Sequence, residues 1–122
     1  MEELLNPARQ IIRERFKEDY HHVGAALRTK SGKIFSAVNL EAYVGRIAIC
    51  AEAIALGMAA ADGDTDIRMI LAVNQDGDVV SPCGMCRELI YDYSPHAQVV
   101  VPDNNEVKVV SIAELLPNKY VR

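Results

Sequence analysis

No apolar run in this chain approaches the ~20 residues that a membrane-spanning helix requires. A helical membrane span is thereby excluded. Basic charge is short as well: 13 Lys and Arg face 17 Asp and Glu, for a formal net charge of −4. No basic stripe runs along the chain, and basic residues do not interleave with aromatic ones. This argues against a polymeric nucleic acid partner, because phosphate backbones are held by clustered cations and single strands by aromatic platforms. A glycine-rich phosphate loop is also missing. The acidic opening Met1-Glu2-Glu3 starts no signal-peptide pattern, and there are no repeats or low-complexity segments. Cysteine is scarce, with three residues in two close groups. An odd, clustered set suits a reducing compartment better than a disulfide framework, so we expect a cytoplasmic protein. Its 122 residues suffice for one hydrophobic core, which predicts a single domain over residues 1–122.

The scarce residue is also the informative one. All three cysteines lie in Cys50-Ala51-Glu52 and Pro82-Cys83-Gly84-Met85-Cys86. Three thiolates can hold one tetrahedral Zn²⁺ and leave a fourth position open for water, as a catalytic zinc requires; a structural zinc normally has four protein ligands. Cys83 and Cys86 are one helical turn apart, so both sulfurs can face one ion. Pro82 suits a helix start, and Cys50 opens an apolar run that reads as a second helix. Two helix N-termini would then point at the metal, favouring thiolates through their partial positive charge. Glu52 is the one charged side chain between Cys50 and Ala61. A carboxylate in so apolar a helix needs a partner or a raised pKa, and a metal-bound water would serve. The competing readings are three ordinary buried cysteines or a redox Cys-x-x-Cys pair.

Along the chain, Leu4, Leu5, Ala8, Ile11, Ile12 and Phe16 recur at helical spacing and predict an amphipathic helix over residues 2–18. His21-His22 follows; we place it on a pocket wall rather than on the metal, whose donors the cysteines already supply. Val23–Arg28 and Ile34–Asn39 read as a β-hairpin. Asn39 and Glu41, two apart in extended backbone, would share a face and could hold a sugar diol; Asn39 could equally cap its own loop. A helix is expected over 50–61, a buried strand over 67–74, a second cysteine-bearing helix over 84–92, strands over 98–101 and 107–110, and a short helix opened by the capping-box spacing Ser111-x-x-Glu114. The order α-β-β-α-β-α-β-β-α predicts a three-layer α/β/α fold around a mixed five-stranded sheet, with crossovers between parallel strands.

The ligand-x-Glu and Pro-Cys-x-x-Cys pairing matches the zinc deaminase signature. With Val23-Gly24-Ala25-Ala26-Leu27, Asn39-x-Glu41 and Glu114-Leu115-Leu116-Pro117, the chain from about Tyr20 to Val121 resembles the cytidine deaminase family and its small relatives, the blasticidin-S deaminases. The resemblance implies that Cys50, Cys83 and Cys86 bind zinc, that Glu52 shuttles protons, and that Asn39 and Glu41 hold the ribose hydroxyls. Peptide groups near Ala51 would orient the ring. It further implies a homotetramer with active sites at subunit contacts, a nucleoside substrate and a role in pyrimidine salvage. Three departures bear on substrate. The Arg that usually follows Cys-Ala-Glu is Ala53 here, leaving Arg46 or Arg87 to offset thiolate charge. The Phe that usually packs on the base falls at His21. The Asp19-Tyr20 stretch and the tail Leu115–Val121 look like the antibiotic deaminases, whereas Glu41 is the cytidine-type choice. Deamination of cytidine or deoxycytidine, deamination of a modified cytosine nucleoside such as blasticidin S, and a zinc-stabilised binding protein without turnover are the readings carried forward.

Overall fold

The computed structural model describes residues 1–122. Helix α1, Glu2–Arg15, buries Leu4, Leu5, Ala8 and Ile12 along one stripe. It carries Glu2 and Glu3 in its first turn and Arg13 and Arg15 in its last, which complements the helix dipole. The helix stops short of the expected residue 18. Phe16 leaves helical backbone at φ −49, ψ 132. Asp19 then adopts φ 69, and the resulting turn pairs Lys17 with His21.

The strands are β1 (Val23–Thr29), β2 (Ile34–Val38), β3 (Ile67–Asn74), β4 (Val79–Val80), β5 (Gln98–Asp103) and β6 (Glu106–Ser111). They form one mixed sheet in the order β2-β1-β3-β5-β6, with β4 also paired to β3. The expected five-stranded path is present, and β4 is an addition that its two residues gave no periodicity to reveal. Helix α2 (Ala51–Ala61) links β2 to β3, and helix α3 (Gly84–Tyr93) links β4 to β5. The parallel neighbours are β3 and β5 alone; β1 lies antiparallel to both β2 and β3. The crossover through α2 therefore passes over β1 to reach β3.

Strand alternation sorts the core into two layers. Ala26, Met69, Leu71, Val73 and Val100 face α1. Leu27, Ile70, Val99 and Val101 face the other way, against Ala55, Leu56 and Ala59 of α2 and Cys86 and Ile90 of α3. Helix α1 sits so low on β1 that a Cβ on Gly24 would lie 2.5 Å from the Ala8 carbonyl oxygen. On the opposite face Ala25, Ala51 and Ala72 form a small buried cluster, which lets the start of α2 settle close to the sheet.

Two strands share one edge of β3. β5 pairs with its first half, at Met69 and Ile70, and β4 pairs with its second half, at Ala72 and Val73. The hairpin between β3 and β4 is closed by Asn74, whose Oδ1 accepts from the backbone N–H of Asp76 and Asp78 at 3.0 Å each. Arg9 of α1 donates from Nε to the Gly77 carbonyl at 2.9 Å, steadying the hairpin tip. Past β4 the chain turns directly into Ser81-Pro82-Cys83 and α3. Both cysteine-bearing helices thus begin at the carboxyl-terminal edge of β2 and β3, where open α/β sheets place their ligands.

Candidate metal and catalytic centre

Cys50 and Cys83 are the N-cap residues of α2 and α3, each in extended backbone (φ −68, ψ 151 and φ −69, ψ 168). Cys86 lies in the first turn of α3 and is 2% exposed. The three sulfurs lie within 4.8 Å of one another, with Cys50 and Cys83 at 3.5 Å. Zn–S bonds of ~2.3 Å in a tetrahedron put sulfurs just under ~4 Å apart. The donor set therefore fits zinc as it stands, with three soft ligands on two helix N-termini and a fourth direction left open.

The electrostatics of the bare thiols are strained in the way a cation would relieve. The Cys86 thiol is pushed far above its ordinary value, first by burial and then by the charges of Glu52, Cys50 and Cys83. Cys50 is raised by burial and by its contact with Cys83. At Cys83 burial works upward, but the backbone N–H groups of Cys86 and Met85 and the neighbouring thiols outweigh it and hold the group below the ordinary thiol range. A coordinated cation deprotonates such thiols outright. Glu52, 6% exposed, is raised above the usual carboxylate range by burial, with its own backbone N–H pulling the other way. A carboxyl raised in this way is a stronger proton acceptor than a free one.

A cavity of about 360 Å³ opens over these groups, within the ~300–1,000 Å³ span of small-molecule sites. Cys50, Ala51, Glu52 and Cys83 line it together with Asn39, Glu41 and Arg46. Seven residues singled out by the sequence thus converge on one site. Asn39 is 5% exposed and largely engaged by protein. Its Oδ1 accepts from the backbone N–H of His22 at 2.8 Å and of Val23 at 3.0 Å. It clamps the neighbouring strand rather than capping its own loop, and keeps one amide N–H unspent.

Two expected residues lie elsewhere. His21 does not line the cavity; its Nδ1 sits 2.8 Å from the Asn39 carbonyl oxygen. The histidine on the wall is His22. Arg87 is anchored away from it, donating to the Pro82 carbonyl at 2.9 Å and the Leu115 carbonyl at 3.4 Å; its part is to brace the start of α3. Sequence reasoning also missed Val80, Ser81 and Met85 on the wall. Their nearness to Cys83 was the available signal.

The sequence profile of the cytidine and deoxycytidylate deaminase zinc-binding region matches residues 1–102. The chain belongs to the cytidine deaminase family. It is a zinc-dependent, deaminase-type hydrolase, and the three-cysteine cluster fits such a zinc. Among relatives, a blasticidin-S deaminase from Bacillus cereus is 47% identical over 128 aligned positions, covering 98% of this chain and 91% of that protein. A cytidine deaminase from Halalkalibacterium halodurans is 32% identical over 100 positions, covering 80% of this chain and 76% of the relative. The fold matches the crystal structure of cytidine deaminase from Mycobacterium leprae with a TM-score of 0.83 at 28% identity, over 96% of this chain and 97% of that one. The cytidine deaminase from Burkholderia pseudomallei matches at 0.82 and 31% identity, over 98% of each chain.

Proposed function

We propose that the chain hydrolyses the 4-amino group of a cytosine nucleoside, converting cytidine or deoxycytidine to the uridine counterpart and releasing ammonia. The observation that carries this is the buried carboxyl of Glu52 beside a three-thiolate cluster at one wall of a nucleoside-sized cavity. Zinc, when bound there, supplies an acidified water as the nucleophile for C4. Glu52 would carry the proton of the attacking water to ring N3, then carry the proton of the new C4 hydroxyl to the amine as it leaves as ammonia. The first turn of α2 presents the Ala51 peptide to the ring. Glu41 and the unspent amide N–H of Asn39 accept and donate to the ribose hydroxyls.

A second reading has its own support. Identity to the blasticidin-S deaminase is 47%, and Arg46, on the cavity wall, offers a cation for the carboxylate of such an antibiotic nucleoside. The deciding experiment is an ultraviolet assay of zinc-loaded protein on cytidine, deoxycytidine and blasticidin S in parallel. Fast turnover of cytidine is expected. Turnover of blasticidin S alone would overturn the first reading in favour of the second, and turnover of none with zinc bound would overturn both.

We further infer a single-domain homotetramer acting in the cytoplasm in pyrimidine salvage. Assembly is supported by large apolar side chains left exposed, Tyr43, Ile47 and Met85 at 107%, 63% and 74%, which suit burial against another chain. No helix is long and apolar enough to cross a membrane. Light scattering on the eluting protein reports the mass directly; a monomer would overturn the tetramer.

A further inference from the structure

Asn39, through its side-chain amide and its backbone carbonyl, decides which nitrogen carries the proton in two adjacent histidines. Its orientation follows from chemistry. Two backbone N–H groups, of His22 and Val23, converge on one side-chain atom at 2.8 and 3.0 Å, and only the oxygen can accept them. The other side-chain atom is therefore Nδ2, a donor. It lies 3.3 Å from Nδ1 of His22. That Nδ1 must offer its lone pair, so the proton of neutral His22 sits on Nε2. His21 takes the opposite form. Its Nδ1 is 2.8 Å from the Asn39 carbonyl oxygen, which can only accept, so the proton of His21 sits on Nδ1. One residue thus uses its carbonyl, its Oδ1 and its Nδ2 to fix two neighbouring rings in two different tautomers. Asn39 is 5% exposed, so water cannot readily substitute for these partners.

We propose that this clamp makes His22 a specificity-determining residue, presenting an Nε2–H donor on the cavity wall to an oxygen acceptor on the sugar of the substrate. The inference rests on the nucleoside reading above. His22 lines the cavity, and its Nδ1 edge is spent on Asn39, so the Nε2 edge is the one the ring offers a ligand. The reacting base must approach Glu52 and the cysteines. That leaves the wall of His22, Asn39 and Glu41 for the sugar, where Glu41 accepts and His22 donates. The ring contributes binding and orientation; it exchanges no proton with the base.

Two measurements test this separately. Long-range proton–nitrogen NMR correlation on zinc-loaded protein labelled at histidine nitrogen, at mildly alkaline pH where imidazole is neutral, reads the tautomers without any substrate. We expect His22 protonated at Nε2 and His21 at Nδ1. In the Asn39→Asp variant, the carboxylate still accepts the two backbone N–H groups but now faces His22 Nδ1 with an acceptor, so His22 should switch to the Nδ1–H form. A mixed or Nδ1–H state in the parent protein, or no switch in the variant, overturns the clamp.

The role of the ring is read by kinetics. His22→Gln keeps a donor near the Nε2 position and should hold KM within about twofold, whereas His22→Asn, whose amide reaches only the Nδ1 position, should raise KM about 5- to 10-fold with kcat nearly unchanged, the loss of one neutral hydrogen bond. Equal KM in the two variants overturns the specificity role. Calorimetric titration of cytidine into these variants in a Glu52→Gln background supplies the same comparison without turnover. Failure of cytidine to bind there even with His22 intact sinks the nucleoside reading and with it the role of the ring, while the NMR result stands on its own.

Discussion

The two faces of the sheet are built from similar apolar material and do different work. On the α1 face, Leu4, Leu5, Ala8 and Ile12 close over Ala26, Met69, Leu71 and Val73, and the charged groups beside that layer, Arg28 of β1 and Glu3 of α1, pair with each other. On the other face the same strands carry α2 and α3, and the layer includes Cys86 and runs up to Cys50 and Glu52. The α1 side can be packed for stability alone. The α2/α3 side must keep the carboxyl of Glu52 and the thiol of Cys86 buried beside the open mouth of the cavity. Damage on one side should therefore appear as lost stability, and damage on the other as lost chemistry.

The sharpest break of that division is Cys83→Ala. Cys83 is exposed, so little packing is lost. Bound zinc should fall away and turnover with it, as read by metal analysis beside the ultraviolet assay. Retained stoichiometric zinc would move the site elsewhere. Glu52→Gln comes next, because it should keep zinc and fold while turnover drops ~10²–10⁴-fold, the usual worth of a positioned acid–base group; near-parental activity would remove Glu52 from the mechanism. Leu4→Ala crosses to the α1 face. Leu4 is 0% exposed, and its truncation should cost ~2–5 kcal/mol in denaturant unfolding with kcat unchanged at temperatures where the protein is folded. The smallest effect sharpens the contrast. Gly24→Ala would press a methyl against the Ala8 carbonyl and should cost ~1–3 kcal/mol, again without loss of zinc. A large fall in kcat from either α1-face change would show that the two faces are coupled.

Much of this was legible in the residues. The three cysteines and Glu52 sit at fixed offsets about two helix starts, and helix geometry converts such offsets into positions. The strand alternation of β1 and β3 likewise sorts their core residues. Other features depend on contacts distant in sequence. Whether His21 or His22 reaches the cavity is set by Asn39, 17 residues beyond His22, and no local pattern near the histidines reports it. Arg46 and Arg87 were equal candidates as cations for the site until the carbonyls of Pro82 and Leu115 were seen to engage Arg87. The early end of α1 follows from a turn at Asp19 with positive φ, which helical periodicity cannot register. The central place of β1 needed the β1–β3 pairing, because a hairpin followed by a helix fits either order of strands.

The short strand before α3 also acts as an aiming device. In a strand, neighbouring residues point to opposite faces, so the register of β4 on β3, with Val79 opposite Val73 and Val80 opposite Ala72, decides which valine goes where. As built, Val79 packs against the α1 layer and Val80 joins the alanine cluster and the cavity wall. A slip of that register by one residue would exchange the two faces and enter α3 half a pleat out of phase, turning Cys83 and Cys86 from Cys50. A two-residue strand thus carries the alignment of the second cysteine pair, while the turn beyond it is free to vary in length.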